Sequence, residues 1–373
     1  MTRAVAYFGT YDPVYTRNAV LIAGLRERGV EVTEIHAPLP ALDAAGMATA
    51  AGATRVAAAV AAAHLRLVLQ HRRRLEIDAV VVGYPGHFLV PFGRALAAVR
   101  RTRLVFDPLV SLADTFSGDR ELVASRSPMG RAVEAVDRVA FSLPHLVLAD
   151  TWAHAAFFGA RFGLPRERLA VVPVGAPPAP QATGAARQLT AGEPLVVFQY
   201  GKWSPLHGAE TVLAAADRLR DRPVRFVLAG EGQLSVPLRA EIEWRGLTNV
   251  EWLGTLGPAD LRARTLAADV CLGIFGSSDK ARRVVPTKVH EALACGRPVV
   301  TADTAAAREL LEDGVDAILV SAADSDALAG ALERLSDERL RASVGRAALA
   351  TYRRALTPAA VAGRLLDALE RRP

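Results

Sequence analysis

Cysteine is scarce in this sequence. Its 373 residues include only Cys271 and Cys295, which lie in apolar stretches and have no partner at the spacing of metal ligands. The sequence therefore argues against a disulfide-stabilised scaffold and a cysteine-ligated metal centre, and it predicts two buried, reduced thiols in a cytoplasm.

Long apolar runs and aromatic tracts are also missing. No window approaches the ~20 uninterrupted apolar residues that span a bilayer, and the first residues, MTRAVAYFGT, lack the apolar segment of a signal peptide. Aromatic residues make up 6% of the chain, and none are interleaved with a basic tract, as they are in proteins that bind single strands. The sequence therefore predicts a cytoplasmic protein that binds no nucleic acid.

What the chain does contain is enough apolar material for large cores. Hydrophobic residues make up 51% of it, and its length predicts two domains of about 100–200 residues each. The formal net charge is +6. A basic surface of this kind suits a nucleoside diphosphate or an anionic membrane, and an ordinary basic surface without a partner explains the same charge.

The order of sequence patterns predicts the architecture. Short β-branched runs alternate with longer alanine- and leucine-rich stretches, which favours an α/β fold with helices covering parallel sheets. Residues 175–194 are rich in proline, glycine and alanine and have no periodicity, so they are expected to be a linker. Two Rossmann-like domains are therefore expected, at 1–178 and 190–354.

A glycine-flanked turn follows the strand predicted at 194–200. It reads GKWSPLHG, with Gly201 and Lys202 at its start and His207 before the next helix. Glycine lets the backbone approach a ligand closely, and Lys202 adds a cation at a strand end, where parallel sheets bind ligands. The turn suits a diphosphate; a solvated lysine and a capping histidine are the structural alternative. Gly230 ends the next predicted strand and is a weaker candidate of the same kind.

A basic loop and a short helix follow the apolar strand predicted at 269–275. Lys280, Arg283 and Lys288 supply positive charge, and the start of the helix leaves free N–H groups that can face phosphate. Glu291 lies about one turn into this helix, where a carboxylate can accept hydrogen bonds from ribose hydroxyls. The whole arrangement predicts a nucleoside-diphosphate site, whereas a surface helix position is the alternative for Glu291 taken alone.

The segment EALACGRPVV, which begins at Glu291, resembles the donor-binding signature of the GT-B glycosyltransferases of family 4. GKWSPLHG resembles the diphosphate motif of that family, and FVLAGEG and NVEWLGTL are similar to further family blocks in the same order. The resemblance covers essentially all of 195–350. It implies a GT-B fold, in which two Rossmann-like domains face each other across a cleft and a helix at 355–373 packs back on the first domain.

The resemblance also implies roles for the motif residues. Lys202 would contact the donor diphosphate, His207 would replace a more usual lysine, and Glu291 would bind the ribose. The residues expected to bind the donor are Gly9, Gly201, Lys202, His207, Gly230, Lys280, Arg283, Lys288 and Glu291.

One position departs from the family pattern. The family usually carries a second glutamate eight residues before the one that matches Glu291, and Arg283 stands there instead. The carboxylate expected beside the donor sugar is therefore missing, and a basic cluster of Lys280, Arg282, Arg283 and Lys288 is expected to bind phosphate. The K-x-x-R-x-x-P-x-K pattern and the PLHG turn resemble a subgroup of the family, so we interpret the departure as a subgroup feature.

The first half of the chain resembles the family less sharply, and its candidates follow predicted strands. Gly9, His87 and Asp107 each come at or shortly after the end of such a strand. The resemblance implies that the loop after the first strand lines the cleft beside donor and acceptor. The residues expected to bind the acceptor are Tyr11, Asp12, Arg17 and Asp114. Turn capping is the alternative for Asp107 and Asp114.

The function implied by the resemblance is transfer of a sugar, with retention, from a nucleoside-diphosphate sugar to a hydroxylated acceptor: a natural product, a saccharide or a lipid-linked molecule. Lys202 is expected to stabilise the departing diphosphate, and Asp107 or His87 to orient the acceptor or the sugar. No metal or other cofactor is expected. The alternatives are a nucleotide-sugar epimerase of GT-B fold and a non-catalytic subunit that binds sugar nucleotides.

Residues 55–74 predict a basic amphipathic helix with arginines clustered at its end. Its apolar face is expected either to pack on the first sheet or to lie on the inner face of a membrane, as in many relatives of the family. The second alternative would add peripheral membrane contact to the cytoplasmic location.

Overall fold

The structure, a computed structural model, describes residues 2–37, 55, 62–63, 67, 76–115, 127–190 and 192–371. These residues form two six-stranded parallel sheets with helices packed against them. The predicted α/β class is therefore confirmed.

The first sheet is built from short, largely apolar strands. They are β1 (Ala4–Gly9), β2 (Glu31–His36), β3 (Ala79–Val82), β4 (Arg103–Phe106), β5 (Leu146–Ala149) and β6 (Leu169–Val171). Their order across the sheet is β2-β1-β3-β4-β5-β6. The α-helices described in this half are α1 (Thr16–Glu27), α2 (Val90–Arg100), α3 (Pro128–Ser142) and α4 (Trp152–Phe162). The side chain of Thr151 caps α4 by accepting from the His154 N–H, and Gly163 ends the helix in the left-handed region.

The second sheet has the strand order of a doubly wound fold. Its strands are β7 (Leu195–Tyr200), β8 (Val224–Ala229), β9 (Val250–Leu253), β10 (Val270–Leu272), β11 (Val299–Ala302) and β12 (Ile318–Val320). They are arranged β12-β11-β10-β7-β8-β9. The helices of this half are α5 (Ala209–Arg218), α6 (Ser235–Arg245), α7 (Pro258–Ala267), α8 (Thr287–Ala294), α9 (Ala305–Arg308), α10 (Ser325–Arg334) and α11 (Glu338–Ala355). The order reverses between β7 and β10, which creates a crevice at their carboxyl ends.

The last described helix, α12 (Pro358–Glu370), returns to the first sheet. Its side chains Val361, Leu365 and Leu369 are buried in one cluster with Leu21 of α1 and Val5 of β1. One face of the first sheet is therefore covered by a helix that follows the second domain in sequence.

The predicted linker has neither helix nor strand in its described residues, yet it is docked. The Arg187 guanidinium pairs with Asp269 at 2.8 Å, and Arg341 donates to the Arg187 carbonyl at 2.9 Å. Because both partners belong to the second domain, this segment is a fixed strap along that domain instead of a free spacer.

The amphipathic helix predicted at 55–74 lies mostly outside the described residues. The described Ala63 and Leu67 are helical and buried in the core of the first domain. That placement agrees with packing on the first sheet for these two side chains. Within the described part of the chain, no helix combines the length and the apolar character that crossing a bilayer requires.

Candidate functional site

Two loops meet at the crevice of the second sheet. One follows β7 and contains Gly201 to Gly208, and the other runs from the end of β10 to α8. They are joined where the Phe275 N–H donates to the His207 carbonyl at 3.1 Å. Open parallel sheets bind ligands at such a point, outside the carboxyl ends of the strands.

His207 is buried and faces back into its own turn. Nδ1 lies 3.2 Å from the Ser204 backbone nitrogen and 3.3 Å from both the Ser204 hydroxyl and its carbonyl oxygen. Because the backbone N–H can only donate, we assign Nδ1 as its acceptor and the ring proton to Nε2. A Cβ at position 201 would lie 2.3 Å from that Nε2. Gly201 therefore lets the ring approach the strand end, and the turn presents an N–H donor there. Lys202 beside it is exposed.

Gly230 and Trp203 pack against this turn. Gly230 has φ of 108°, and a Cβ there would lie 2.2 Å from the Gly201 carbonyl oxygen. The fully buried Trp203 donates from Nε1 to the Gly230 carbonyl at 3.0 Å. Only glycine fits at 230, because both the positive φ and the close backbone approach exclude a side chain.

Lys288 brings a basic group to the same point, with Nζ 5.8 Å from the centroid of the Tyr200 ring. Its side chain is buried at the start of α8, and Nζ has no hydrogen-bond partner. A Cβ at position 201 would lie 3.1 Å from Nζ. Burial lowers the pKa of Lys288 to about 7. A buried ammonium without a partner is costly, so an anion at this turn would be strongly stabilised.

Glu291, one turn further along α8, is held by both domains. It accepts a short hydrogen bond from the Tyr200 hydroxyl and a further one from Thr16 of α1. Burial raises the pKa of Glu291. The carboxylate lines a cavity of about 540 Å³ between α1 and the helices α7 and α8, which leaves room for a ligand beside it.

The predicted basic cluster is divided by the structure. Lys280 donates to Thr115 of the first domain at 3.1 Å, and Arg283 pairs with Asp114 at 2.9 Å. Arg282 is exposed. Of these four cations, the structure places Lys288 in the turn at Gly201, so the expectation of a single phosphate-binding cluster is corrected.

The loop after β1 is placed partly as expected. Gly9 ends β1 with φ of 134°. A Cβ at this position would lie 3.4 Å from the Leu89 side chain, an ordinary van der Waals contact. Asp12 is exposed and accepts from the Val14 N–H at 3.0 Å. Tyr11 is 1% exposed and donates to Glu34 at 2.7 Å. Tyr11 is buried because it packs in the core of the first sheet. This burial argues against the predicted contact between Tyr11 and the acceptor substrate.

Arg17 and Asp107 form a buried ion pair. Each is 1% exposed, and Nε of Arg17 lies 2.7 Å from Oδ2 of Asp107. The same guanidinium donates to the carbonyls of Val172 and Pro173, both at 2.6 Å. The pair ties α1 to the segments that directly follow β4 and β6. The geometry therefore favours a structural role over the predicted acceptor and catalytic roles.

His87 is also buried, under the first-domain side of the cleft. Its Nε2 donates to the Val110 carbonyl at 2.9 Å, and its Nδ1 has no partner. Burial lowers the pKa of His87, against the opposing effect of Asp137. The lowered pKa favours the neutral ring at pH 7, with Nδ1 as its acceptor.

Sequence reasoning missed the residues that support the site from elsewhere in the fold. Tyr200 and Thr16 hold Glu291, and Phe157 lies under Arg283 with 3.6 Å from Cζ to the ring centroid. Tyr200 ends a strand and could have been identified from that position. The other two belong to helices of the first domain, and no local pattern indicates their contact with the second.

Among the described residues, no three His, Cys, Asp or Glu side chains come together in a way that could hold a metal ion. Metal independence stays a prediction.

Comparison with known proteins finds a family match within the second half of the chain. Residues 194–338 match the family model described as glycosyl transferases group 1. The chain is 31% identical over 109 residues to the putative colanic acid biosynthesis glycosyl transferase WcaI of Escherichia coli K12, a match that covers 29% of this chain and 26% of that protein. It is 30% identical over 221 residues to the D-inositol 3-phosphate glycosyltransferase of Acidothermus cellulolyticus, covering 55% and 48%. The matches thus span about half the length of these relatives or less.

The fold comparison extends over the whole chain. HepE from Anabaena, solved in complex with UDP and glucose, superposes with a TM-score of 0.65 at 19% identity and covers 99% of both chains. At this identity the likeness shows the fold alone. The predicted GT-B architecture is confirmed, whereas the PLHG subgroup stays a prediction. Residues 194–338 are therefore similar to the glycosyl transferases group 1, within a chain that has the GT-B fold.

Proposed function

We propose that this protein transfers a sugar from a nucleoside-diphosphate sugar to a hydroxyl group of an acceptor, with retention of the anomeric configuration and without a metal ion. The observation that carries the proposal is Nζ of Lys288, which is buried without a hydrogen-bond partner at the glycine turn after β7. The family match over the same segment and the UDP bound by HepE both support it.

In the proposed site, different side chains bind different parts of the donor. Lys288 and the Nε2–H of His207 bind the diphosphate at Gly201, which has no side chain to cover the backbone. Glu291 accepts hydrogen bonds from the ribose hydroxyls, beside the cavity between the domains. Lys202, exposed at the same turn, adds a solvent-facing charge.

Transfer breaks the bond between the anomeric carbon and the diphosphate oxygen and forms a bond from that carbon to the acceptor oxygen. The acceptor proton passes to the departing diphosphate. Lys288 and His207 stabilise the negative charge that develops on the leaving group, so no strong base is needed. The buried His87 and Asp107 take no part in this proton transfer.

A ligand screen tests the proposal. At least one of UDP, GDP, dTDP and ADP is expected to raise the melting temperature, because a ligand at a hundred times its Kd stabilises a protein by about 2.7 kcal/mol. EDTA should leave the shift unchanged. With an acceptor panel, nuclear magnetic resonance should show product of the donor's anomeric configuration. No shift with any nucleotide contradicts the proposal; isomerised donor without transfer indicates an epimerase, and binding without turnover indicates a non-catalytic subunit.

Diphosphate affinity is expected to depend on pH through Lys288. Its ammonium form attracts the ligand, and its pKa near 7 leaves that form fully present only below pH 7. Above pH 7 the Kd should rise by up to about tenfold per pH unit, because binding must first restore the proton.

Calorimetry at pH 8 checks this expectation. Phosphate groups are already ionised there, so titrations in two buffers of different ionisation enthalpy should show uptake of close to one proton per ligand. The Lys288→Met variant should show no uptake. A Kd that is flat between pH 6.5 and 9 would contradict the role of Lys288.

A further inference from the structure

A further cavity, of about 650 Å³, lies on the flank of the first domain along the edge strand β6. Arg103, Leu146 and Leu169, the first residues of β4, β5 and β6, line this flank cavity. No described residue lines both the flank cavity and the cavity beside Glu291. The two spaces are therefore separate, and a ligand of the flank cavity is a different molecule from the donor.

Four arginines line the flank cavity: Arg103, Arg166, Arg168 and Arg371. Glu167 is the acid among the described lining residues, and it is exposed. Within the part of the chain that the structure describes, no carboxylate pairs with any of the four guanidinium groups. The flank cavity therefore has a net positive charge, and positive charge in a concave surface attracts anions.

Two of these arginines are held in place by backbone carbonyls. Nη1 of Arg103 donates to the Leu369 carbonyl in α12, and Nη2 of Arg168 donates to the Ser142 carbonyl at the end of α3, both at 2.7 Å. Each guanidinium uses one terminal nitrogen for such bonds, so its other N–H groups are left for a ligand. Because both side chains are ordered before a ligand arrives, binding costs less conformational entropy.

His145 also lines the flank cavity and responds to its charge. Its Nδ1 accepts from the Leu104 N–H at 2.8 Å, so we assign the ring proton to Nε2. Partial burial and the charges of Arg94, Arg103 and Arg168 lower the pKa of His145. A bound anion would oppose the effect of these arginines and raise the pKa, so the ring reports on occupation of the cavity.

Another part of the wall is aromatic and apolar. Trp152 is 40% exposed, and Arg166 lies over its ring with 4.3 Å from Cζ to the centroid. Leu143 and Ala368 add apolar surface. Small-molecule sites combine a few polar groups with apolar walls in cavities of about 300–1,000 Å³. The flank cavity therefore has room for an organic group beside an anion.

We propose that the flank cavity binds a phosphate monoester through Arg103, Arg166, Arg168 and Arg371, with the organic part of the ligand against Trp152. Guanidinium groups bind phosphate oxygens in pairs. A phosphate monoester carries about −1.5 to −2 charges at pH 7, which suits several arginines better than a single carboxylate does. A free phosphorylated metabolite and the headgroup of phosphatidic acid both carry this group, and the test separates these two sources.

Nuclear magnetic resonance of the histidine rings tests the proposal, with glycerol 3-phosphate as the soluble ligand. The His145 signal, identified by its loss in His145→Gln, should shift with a Kd of about 1 mM or below. The bound phosphate should raise the pKa of His145 by about one unit, because an opposite charge favours the protonated ring. Glycerol should cause neither change. Since the signal is local, phosphate bound at Lys288 does not produce it.

Arg166→Met/Arg371→Met is the test variant, because both residues are exposed and neither side chain donates to a helix carbonyl in the described structure. Its Kd for glycerol 3-phosphate should be at least about tenfold higher, as expected for lost hydrogen bonds to a charged group. Arg264→Met/Arg334→Met is the matched control: it removes two exposed arginines of the second domain and should leave the Kd unchanged. Equal weakening in both variants, or none in the test variant, would overturn the site.

Vesicle sedimentation identifies a lipid source. Phosphatidylcholine vesicles with about one-fifth phosphatidic acid are compared with vesicles of phosphatidylcholine alone. Binding that requires phosphatidic acid and is lost in the test variant supports the site with a lipid headgroup as its ligand; a His145 response without vesicle binding supports it with a soluble ligand. If neither ligand acts, the proposal fails, whereas the donor site, which depends on Lys288, is unaffected.

Discussion

Replacing Lys288 with methionine is expected to raise the Kd for a nucleoside diphosphate by about a hundredfold or more. Loss of one partner from a buried charge pair costs about 2–5 kcal/mol of binding free energy. In the ligand-free protein the same change should raise the melting temperature, because it removes an ammonium that is buried without a partner. Calorimetry measures the loss of affinity, and thermal melting without ligand measures the gain in melting temperature.

Lys202→Met provides the comparison for this experiment. Lys202 lies on the same turn but is exposed, and an exposed charge contact is worth about 0–1 kcal/mol, or at most roughly fivefold in Kd. A larger loss for Lys202→Met than for Lys288→Met would reverse the assignment and restore the prediction made from the turn sequence alone.

Asp107→Asn is expected to lower the free energy of unfolding by about 3–5 kcal/mol, because it leaves the Arg17 charge buried without its counter-ion. The double variant Arg17→Met/Asp107→Leu should be less destabilised than Asp107→Asn. It should not recover fully, since the carbonyls of Val172 and Pro173 lose their donor. Urea unfolding followed by circular dichroism measures all three proteins.

The exposed Asp221→Asn change is the stability control and should stay within about 0.5 kcal/mol of wild type. If Asp107→Asn unfolds at the wild-type urea midpoint while turnover is lost, Asp107 is a catalytic residue and our structural interpretation fails.

Much of the second domain could be predicted from sequence because its signals are local. A β-branched run, a glycine turn and a helix start are adjacent along the chain, so the end of β7, Gly201 and His207 could be located together. The run predicted as a strand at 269–275 is longer than β10, which ends at Leu272. Phe275 is apolar because it is buried in the loop against His207, not because it belongs to the strand.

The parts that could not be predicted depend on pairing between distant residues. Asp114 and Arg283 are 169 positions apart, and Arg17 and Asp107 are 90 apart. Sequence identified each of them as a charged residue near a strand end, which is compatible with a ligand contact and with an internal ion pair. Only the three-dimensional arrangement shows which charges are already neutralised, and it leaves Lys288 for the ligand.

The return of α12 to the first sheet affects how this protein is made. The apolar face of α1 meets its cover, Val361 and Leu365, only after the whole second domain has been synthesised. Domains normally fold as units during synthesis, the first one first. Here the first domain exposes part of its core until the second has emerged from the ribosome, so the half that is synthesised first is completed last.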